Sequence, residues 1–547
     1  MRLAATAAAV AAVAVLAGCT GADPAPSPTA TASPAPTAPT SPAPTPSVAT
    51  PSPAASSTPT PAPETLAWGP TVEEWDAALA TARALPLAHA AGQVIVTDLY
   101  TPDVDVAVQR VREHHLGGVI LMDGAAPSAA EVAALTDALG RVDDRDWPVW
   151  ISADEEGGWV SRLSAAVPSL PGFMAAGAAT DKAAVTDAYR SSAADMRALG
   201  VNVDYAPVAD VTVGPADPTI RTRSAGSDPE TVAETVVAAV DGFVDGGVVP
   251  VIKHFPGHGS VTVDSHTGLP VQSRSVKRLA RTDLVPFAAA VDAGAPVVMM
   301  GHIAVPEWGD GPATLERAAY RYLRDDLGFT GVTVTDALNM AAVAEGRTPG
   351  QAAVQALRAG ADVLLMPKDV DGTVDAIVSA VRDGSLSRAR LDQAAARSIL
   401  LMRWSEGLGG DAATPGYPRA LAAAGTTVAT DDCDAPLVRR RATVVGGPDD
   451  AVAALEGALR RRGVTVGEGG TSIALLTSGA YRADADVVVA LGDPWGLFDS
   501  RADAHVAVYG DSDATLAGLA DVLVGDAAPG GAWPVELRGA RRSCAAS

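Results

Sequence analysis

The sequence predicts an α/β protein, a (β/α)8 barrel of the TIM type followed by a smaller α/β domain. Three observations carry that expectation. Eight short runs rich in Val, Ile, Leu and Met fall between residues 93 and 366. Amphipathic helical patterns separate them. Acids, histidines and a lysine crowd directly after these runs. Apolar runs of this kind read as buried parallel strands, and strand–helix alternation builds right-handed crossover units. Eight such units suggest a barrel, whose functional residues gather at the carboxyl ends of its strands. An open doubly wound sheet is the competing architecture. No Gly-x-Gly-x-x-Gly follows the first run, which weakens its dinucleotide-binding form.

The elements follow in chain order. Residues 1–19 read as an export signal: Met1-Arg2-Leu3, then a small apolar run too short for the ~20 residues of a membrane span. The run ends Leu16-Ala17-Gly18-Cys19, which resembles the bacterial lipoprotein signal. Cys19 is therefore the expected lipidation site and the lipid the expected membrane anchor. Ordinary cleavage at small residues is the alternative. Residues 20–65 form a tether, almost only Pro, Ala, Ser and Thr between 22 and 63. Proline denies helices and sheets their donors, so this segment is extended and reaches on the order of 130 Å. A glycosylated stalk is its other possible use. Either way the folded part lies outside the cytoplasm.

The catalytic domain is expected over 66–405, with strands at 93–97, 118–122, 148–152, 202–205, 248–252, 296–300, 331–335 and 362–366. Helical patterns include 228–245, 276–293 and 349–359. Gly407-Leu408-Gly409-Gly410 opens a linker over 406–424. Residues 425–547 carry further strand-like runs at 442–445, 472–476, 487–491 and 505–509, then a helical stretch at 513–523.

Composition excludes several function classes. Lys and Arg number 40 against 64 Asp and Glu, a formal charge of −24, which argues against nucleic acid as a partner. The three cysteines are too few for a disulfide scaffold or a four-thiolate zinc site. With Cys19 lipidated, Cys433 and Cys544 remain as an even pair in a compartment where disulfides persist, and we expect them to be bonded. Two unpaired thiols are the alternative.

The sharpest stretch runs Lys253-His254-Phe255-Pro256-Gly257-His258-Gly259-Ser260-Val261-Thr262-Val263-Asp264-Ser265-His266. Gly and Pro make it a loop after strand five. Asp264, two residues from His266, is placed to accept one ring N–H and stabilise the charged ring. The other ring nitrogen is then free to give or take a proton. His254 and His258 flank Pro256 and Gly257, so they do not share a helix face as zinc-binding histidines would; no metal and no cofactor are expected. Acids at other strand ends also have a plainer reading, with Asp98, Asp210 and Asp336 as helix caps.

These residues resemble glycoside hydrolase family 3, in its β-N-acetylhexosaminidase branch of the peptidoglycan-recycling type. The likeness covers about residues 70–405. It is carried by Asp154-Glu155-Glu156-Gly157-Gly158 through Arg162, by Asn202-Val203-Asp204-Tyr205-Ala206-Pro207, by Arg223-Ser224, by the Lys253–His266 stretch and by Thr335-Asp336-Ala337-Leu338-Asn339-Met340. Residues 504–537 resemble a shortened form of the family's C-terminal domain. The resemblance implies Asp336 as nucleophile, His266 as general acid/base and Asp264 as its partner. It implies that Asp154, Arg162, Arg223, Lys253 and His254 grip the terminal sugar. Two positions depart from the family pattern: Trp159 stands where arginine is usual and Ala225 where an aromatic is usual.

The implied reaction is retaining removal of a non-reducing N-acetylglucosamine from peptidoglycan fragments (GlcNAc–MurNAc) or related β-glycosides. Two other readings stand beside it. A phosphorylase would use phosphate as acceptor. A silent sugar-binding lipoprotein would need the cations but not Asp336, Asp264 and His266.

Overall fold

The computed structural model describes residues 64–478 and 482–546. The export signal, Cys19 and nearly all of the tether lie outside them.

Eight parallel strands form the first layer: β1 Ile95–Leu99, β2 Gly118–Leu121, β3 Trp150–Ala153, β4 Val203–Asp204, β5 Val249–Phe255, β6 Val297–Met300, β7 Val332–Thr335 and β8 Leu364–Leu365. Their order is β8-β1-β2-β3-β4-β5-β6-β7. A parallel bridge between Val334 and Val363 joins the two ends, with Thr335 N donating to Val363 O at 3.0 Å, so the sheet closes on itself as a barrel. Every residue of β2, β3, β5, β6 and β7 is buried. Strands enclosed on both faces need near-continuous apolar sequence, which is why they were legible as runs.

Helices cover the barrel, many opened by side-chain caps. Asp103, Ser128, Asp181, Asp228, Asp369 and Ser387 each accept a hydrogen bond from an amide of the following first turn. Helix α1, Val72–Ala84, has a full capping box between Thr71 and Glu74. Helix α2, Arg388–Glu406, packs against it, with the rings of Trp68 and Trp404 edge to face at 5.3 Å.

Three expected elements differ. β5 runs on through Lys253 and His254, which are strand residues and not loop residues. Asp362 falls just outside β8; its buried carboxylate takes Arg324, Arg390 and Arg397 at 2.9, 3.0 and 3.5 Å. The helix expected over 276–293 is two helices, Val276–Leu279 and Val285–Asp292. Pro286, which lacks an amide N–H, sits in the first turn of the second one, where that N–H has no partner to lose.

The stretch expected as linker is partly helical, forming α3, Tyr417–Gly425. Beyond it lies a six-stranded sheet made of β9 Thr427–Ala429, β10 Arg441–Val445, β11 Thr465–Val466, β12 Thr471–Leu476, β13 Val487–Ala490 and β14 Ala504–Ala507. The order is β9-β14-β13-β12-β10-β11, with only β9 antiparallel. β9, β11 and the helix Asp449–Arg461 had no separate signal in the reading of the sequence. The short strands lack a hydrophobic run of their own and exist through pairing.

The second sheet packs onto the barrel through a shared core. Met174, Ala175 and Ala178 of the helix Phe173–Ala178 meet Val488, Trp495 and Tyr509. A disulfide joins Cys433 to Cys544, 111 residues apart in sequence. It fastens the last short helical turn beside β9.

Candidate active site

The carboxyl ends of the barrel strands open into a cavity of about 440 Å³. Asp154, Arg162, Arg223, Lys253, His254, His266 and Asp336 all line it. Asp264 reaches it through His266. A larger hollow of about 680 Å³ lies at the amino ends of β3 and β4, around Val149 and Asn202, and none of those side chains reaches it.

The floor is a network of charges. Lys253 is 2% exposed and places its ammonium 2.6 Å from Asp154 Oδ1 and 2.5 Å from Glu156 Oε1. Glu156 also takes Arg223 in a fork, with Nε and Nη2 each donating at 2.8 Å. Burial alone would raise the Glu156 carboxyl, but Arg223 and Lys253 outweigh it and hold it far below the carboxylate range. Burial would likewise lower the Lys253 ammonium, and Asp154 and Glu156 reverse that and raise it. Glu156, Lys253 and Arg223 are all charged at neutral pH. Buried charges are tolerated only when paired and hydrogen-bonded, and a planar guanidinium suits a two-toothed carboxylate contact. Both Asp154 and Arg223 still face the cavity, where hydroxyls of a sugar can meet them.

Asp336 follows β7 directly. Its Oδ1 accepts from Ala337 N at 2.7 Å. Burial pushes this carboxyl up, but His302, His254, the Ala337 amide and Lys253 together hold it below its ordinary value. It is a carboxylate at neutral pH and opens into the cavity. It caps no helix: the next one, Ala341–Ala344, begins after Met340 without a side-chain cap.

On the rim, His266 Nδ1 lies 2.7 Å from Asp264 Oδ1. That same oxygen accepts the backbone N–H of His266 at 2.9 Å. The carboxylate fixes the ring and directs Nε2 away from itself. The amide and side-chain bonds to His266, with its charge, overcome the desolvation that would raise the Asp264 carboxyl, and hold it low. The His266 side chain is 62% exposed. His266 and Asp336 thus line one cavity, from a rim loop and from a strand end.

Four residues matter that the sequence reading did not assign to the site. Glu156 was visible in its motif, and its role as the shared anchor of Lys253 and Arg223 needed the fold. Asp210 is no helix cap: buried after β4, its Oδ2 lies 2.7 Å from His254 Nδ1 and its Oδ1 accepts His258 N at 2.6 Å. This sets the second nitrogen of His254 toward the cavity. His258 Nε2 is 2.9 Å from Ser265 Oγ, which ties the loop's base to the segment carrying His266. His302 Nε2 donates to Ala337 O at 2.9 Å and braces the turn that bears Asp336. Asp98 is also no cap, since Asp103 caps the helix Val104–His114. Arg162 lines the cavity while paired with Asp123 at 2.8 Å. Among the described residues no group of three or more His, Cys, Asp or Glu is arranged to hold a metal ion.

A barrel whose strand ends open into one cavity, lined by an ionised carboxylate and a rim imidazole, has the form of a barrel enzyme. Residues 89–401, more than half of the chain, match the pattern of the glycosyl hydrolase family 3 N terminal domain, and the chain belongs to that family. It is a glycoside hydrolase. Beta-hexosaminidase LpqI of Mycobacterium tuberculosis is 35% identical over 311 residues, which are 55% of this chain and 79% of that protein. Beta-hexosaminidase A of Pseudoalteromonas piscicida is 34% identical over 286 residues, and the match spans only 48% of its length and 48% of this chain. The structure of a family 3 beta-N-acetylglucosaminidase from Paenibacillus sp. FPU-7 superposes with a TM-score of 0.74 at 28% identity, covering 84% of this chain and all of that one.

Proposed function

We propose that this chain is a retaining, exo-acting β-N-acetylglucosaminidase. The observation that carries the reading is the meeting of Asp336 and the His266–Asp264 pair on one cavity floored by paired cations. Asp336 attacks the anomeric carbon, and protonated His266 gives its proton to the leaving oxygen. A glycosyl-enzyme ester forms on Asp336. Neutral His266 then takes a proton from water, which attacks the same carbon, and the sugar leaves with its original anomeric configuration. Asp154, Arg223, Lys253 and His254 hold the terminal sugar, with Arg162 at the edge. The names of the relatives support N-acetylhexosamine as the sugar recognised.

The natural substrate in this proposal is a peptidoglycan fragment with GlcNAc at its non-reducing end. The enzyme works outside the cytoplasm, held to the membrane by lipid on Cys19. The disulfide between Cys433 and Cys544 supports that location, because such bonds persist in oxidising compartments.

The test is hydrolysis of a chromogenic β-GlcNAc glycoside and of GlcNAc–MurNAc, with and without phosphate. Free β-GlcNAc as first product, with or without phosphate, fits the proposal. Sugar phosphate as the product makes the chain a phosphorylase, and no turnover of either substrate leaves a binding protein.

A further inference from the structure

Trp159 directly precedes Val160, which lines the cavity, and is 54% exposed, unusual for so large an apolar side chain. It occupies the tip of a hairpin formed by Glu155–Gly157 and Val160–Ser161. Gly157 and Gly158 turn that tip through left-handed backbone angles, φ +86° and +58°, which favour glycine. A Cβ at Gly157 would stand 2.5 Å from Pro171 O, and Gly158 N donates to Leu170 O at 2.9 Å. The tip is therefore pinned to the barrel, and the indole is presented from a fixed base.

One side of the indole is occupied. The guanidinium of Arg221 lies 5.4 Å from the ring centroid. Arg221 has a left-handed backbone, φ +51°, rare for a side chain of this kind. Its far end is gripped by Asp493 of the second domain, whose carboxylate is wholly buried. Ser478 Oγ donates to the same oxygen of Asp493 at 2.8 Å. Both neighbours of this assembly face the cavity: Val160 follows Trp159, and Ile220 precedes Arg221. Two domains thus converge to steady one half-exposed indole: Arg221 lies over the ring, and the ring's Cζ2 edge stands 3.5 Å from where a Cβ on Gly492 would be.

We infer that Trp159 is the platform for the second sugar, the leaving group, with Arg221 and Asp493 as positioning residues. The inference rests on the exo-glycosidase reading. In that reading the first sugar sits on the charged floor and the bond to be cut points outward. The next pyranose then emerges beside Trp159. A β-linked pyranose has an apolar face of C–H bonds, and an indole offers a broad apolar surface for it. The substrate class is therefore a β-linked disaccharide or longer glycan, and a small aglycone gains nothing from this contact.

The experiment compares kcat/KM on GlcNAc-β-1,4-GlcNAc with that on methyl β-N-acetylglucosaminide, which has the same kind of bond and no second ring. In the parent enzyme the disaccharide is favoured. In Trp159→Ala the ratio of the two kcat/KM values should fall fivefold or more, mainly through KM for the disaccharide, and Trp159→Tyr should restore it to within twofold. Asp493→Asn should lower the ratio in the same direction, again through KM. A ratio that falls less than fivefold in Trp159→Ala overturns the inference, and one unmoved in Asp493→Asn removes that residue from the role. Should the alanine variant misfold, Trp159→Gln carries the same threshold. If the parent enzyme cleaves neither substrate, the glycosidase reading itself has failed, which is a separate result.

Discussion

The floor of the pocket and its rim are built on opposite principles. Lys253, at 2% exposure, is locked between two carboxylates, and one of those is forked to Arg223. His266, at 62% exposure, hangs on a loop with one carboxylate for company. The floor holds its geometry through buried charge, where each partner is needed by the others. The rim spends little stability on its imidazole and leaves it free to exchange protons with water. In the proposed mechanism the floor grips the sugar and gains from rigidity, while His266 donates and later accepts a proton and gains from access to solvent.

The comparison can be broken at several points. The largest expected effect is at Asp336, which belongs to neither extreme: Asp336→Asn should lower kcat on a chromogenic β-GlcNAc glycoside by a factor of 10³ or more, with folding intact. A parent-like rate would remove it from the nucleophile's role. Lys253→Ala attacks the floor and should damage binding and stability together. It leaves Asp154 and Glu156 without their shared cation, a loss of ~3–5 kcal/mol by thermal or denaturant unfolding. His266→Ala is the contrasting rim variant. We expect turnover of substrates with poor leaving groups to drop ~10²-fold or more, while the melting temperature stays where it was. Should Lys253→Ala be harmless to stability, or His266→Ala ruinous to it, the contrast is wrong.

Two smaller effects sharpen it. Replacing Cys433 and Cys544 by Ser should cost ~2–4 kcal/mol, seen as earlier unfolding of the second domain. Glu155 tests the hairpin beneath the floor. Burial pushes its carboxyl up to about 7, against hydrogen bonds from Ser161 and the Leu163 amide. A raised carboxyl contributes stability that is complete below its ordinary value and is lost as pH rises through about 7. Glu155→Gln removes that titration. The variant should therefore gain on the parent between pH 5 and pH 8, and an equal unfolding free-energy difference at both ends would refute the assignment.

Much of the barrel was legible because its strands are buried on both faces, and each of the eight expected runs overlaps an observed strand. Boundaries slipped where charge intervened. Asp362 reads as part of an apolar run, yet it lies just outside β8 with its carboxylate paired to three arginines. Lys253 and His254 read as loop residues because Pro256, Gly257 and Gly259 follow so closely, yet β5 continues through them with their partners inside the barrel. At the site, motif residues marked the place but not the wiring. Asp210 acts through His254, 44 positions away, and Glu156 through Arg223 and Lys253, 67 and 97 positions away, and no local spacing encodes such contacts. The second domain's edge strands β9 and β11 are two or three residues each, too short for periodicity to register.

The carboxylate of Glu156, shared by cations from two different parts of the chain, has an evolutionary consequence. A descendant that changes one member of the trio strands a charge in the interior before any new sugar preference can be selected. Drift toward another glycone must then come by coordinated replacement, or by remodelling the lip, where no described side chain carries two buried cations at once. Diversification in this lineage should accumulate around the mouth of the pocket while its base stays frozen.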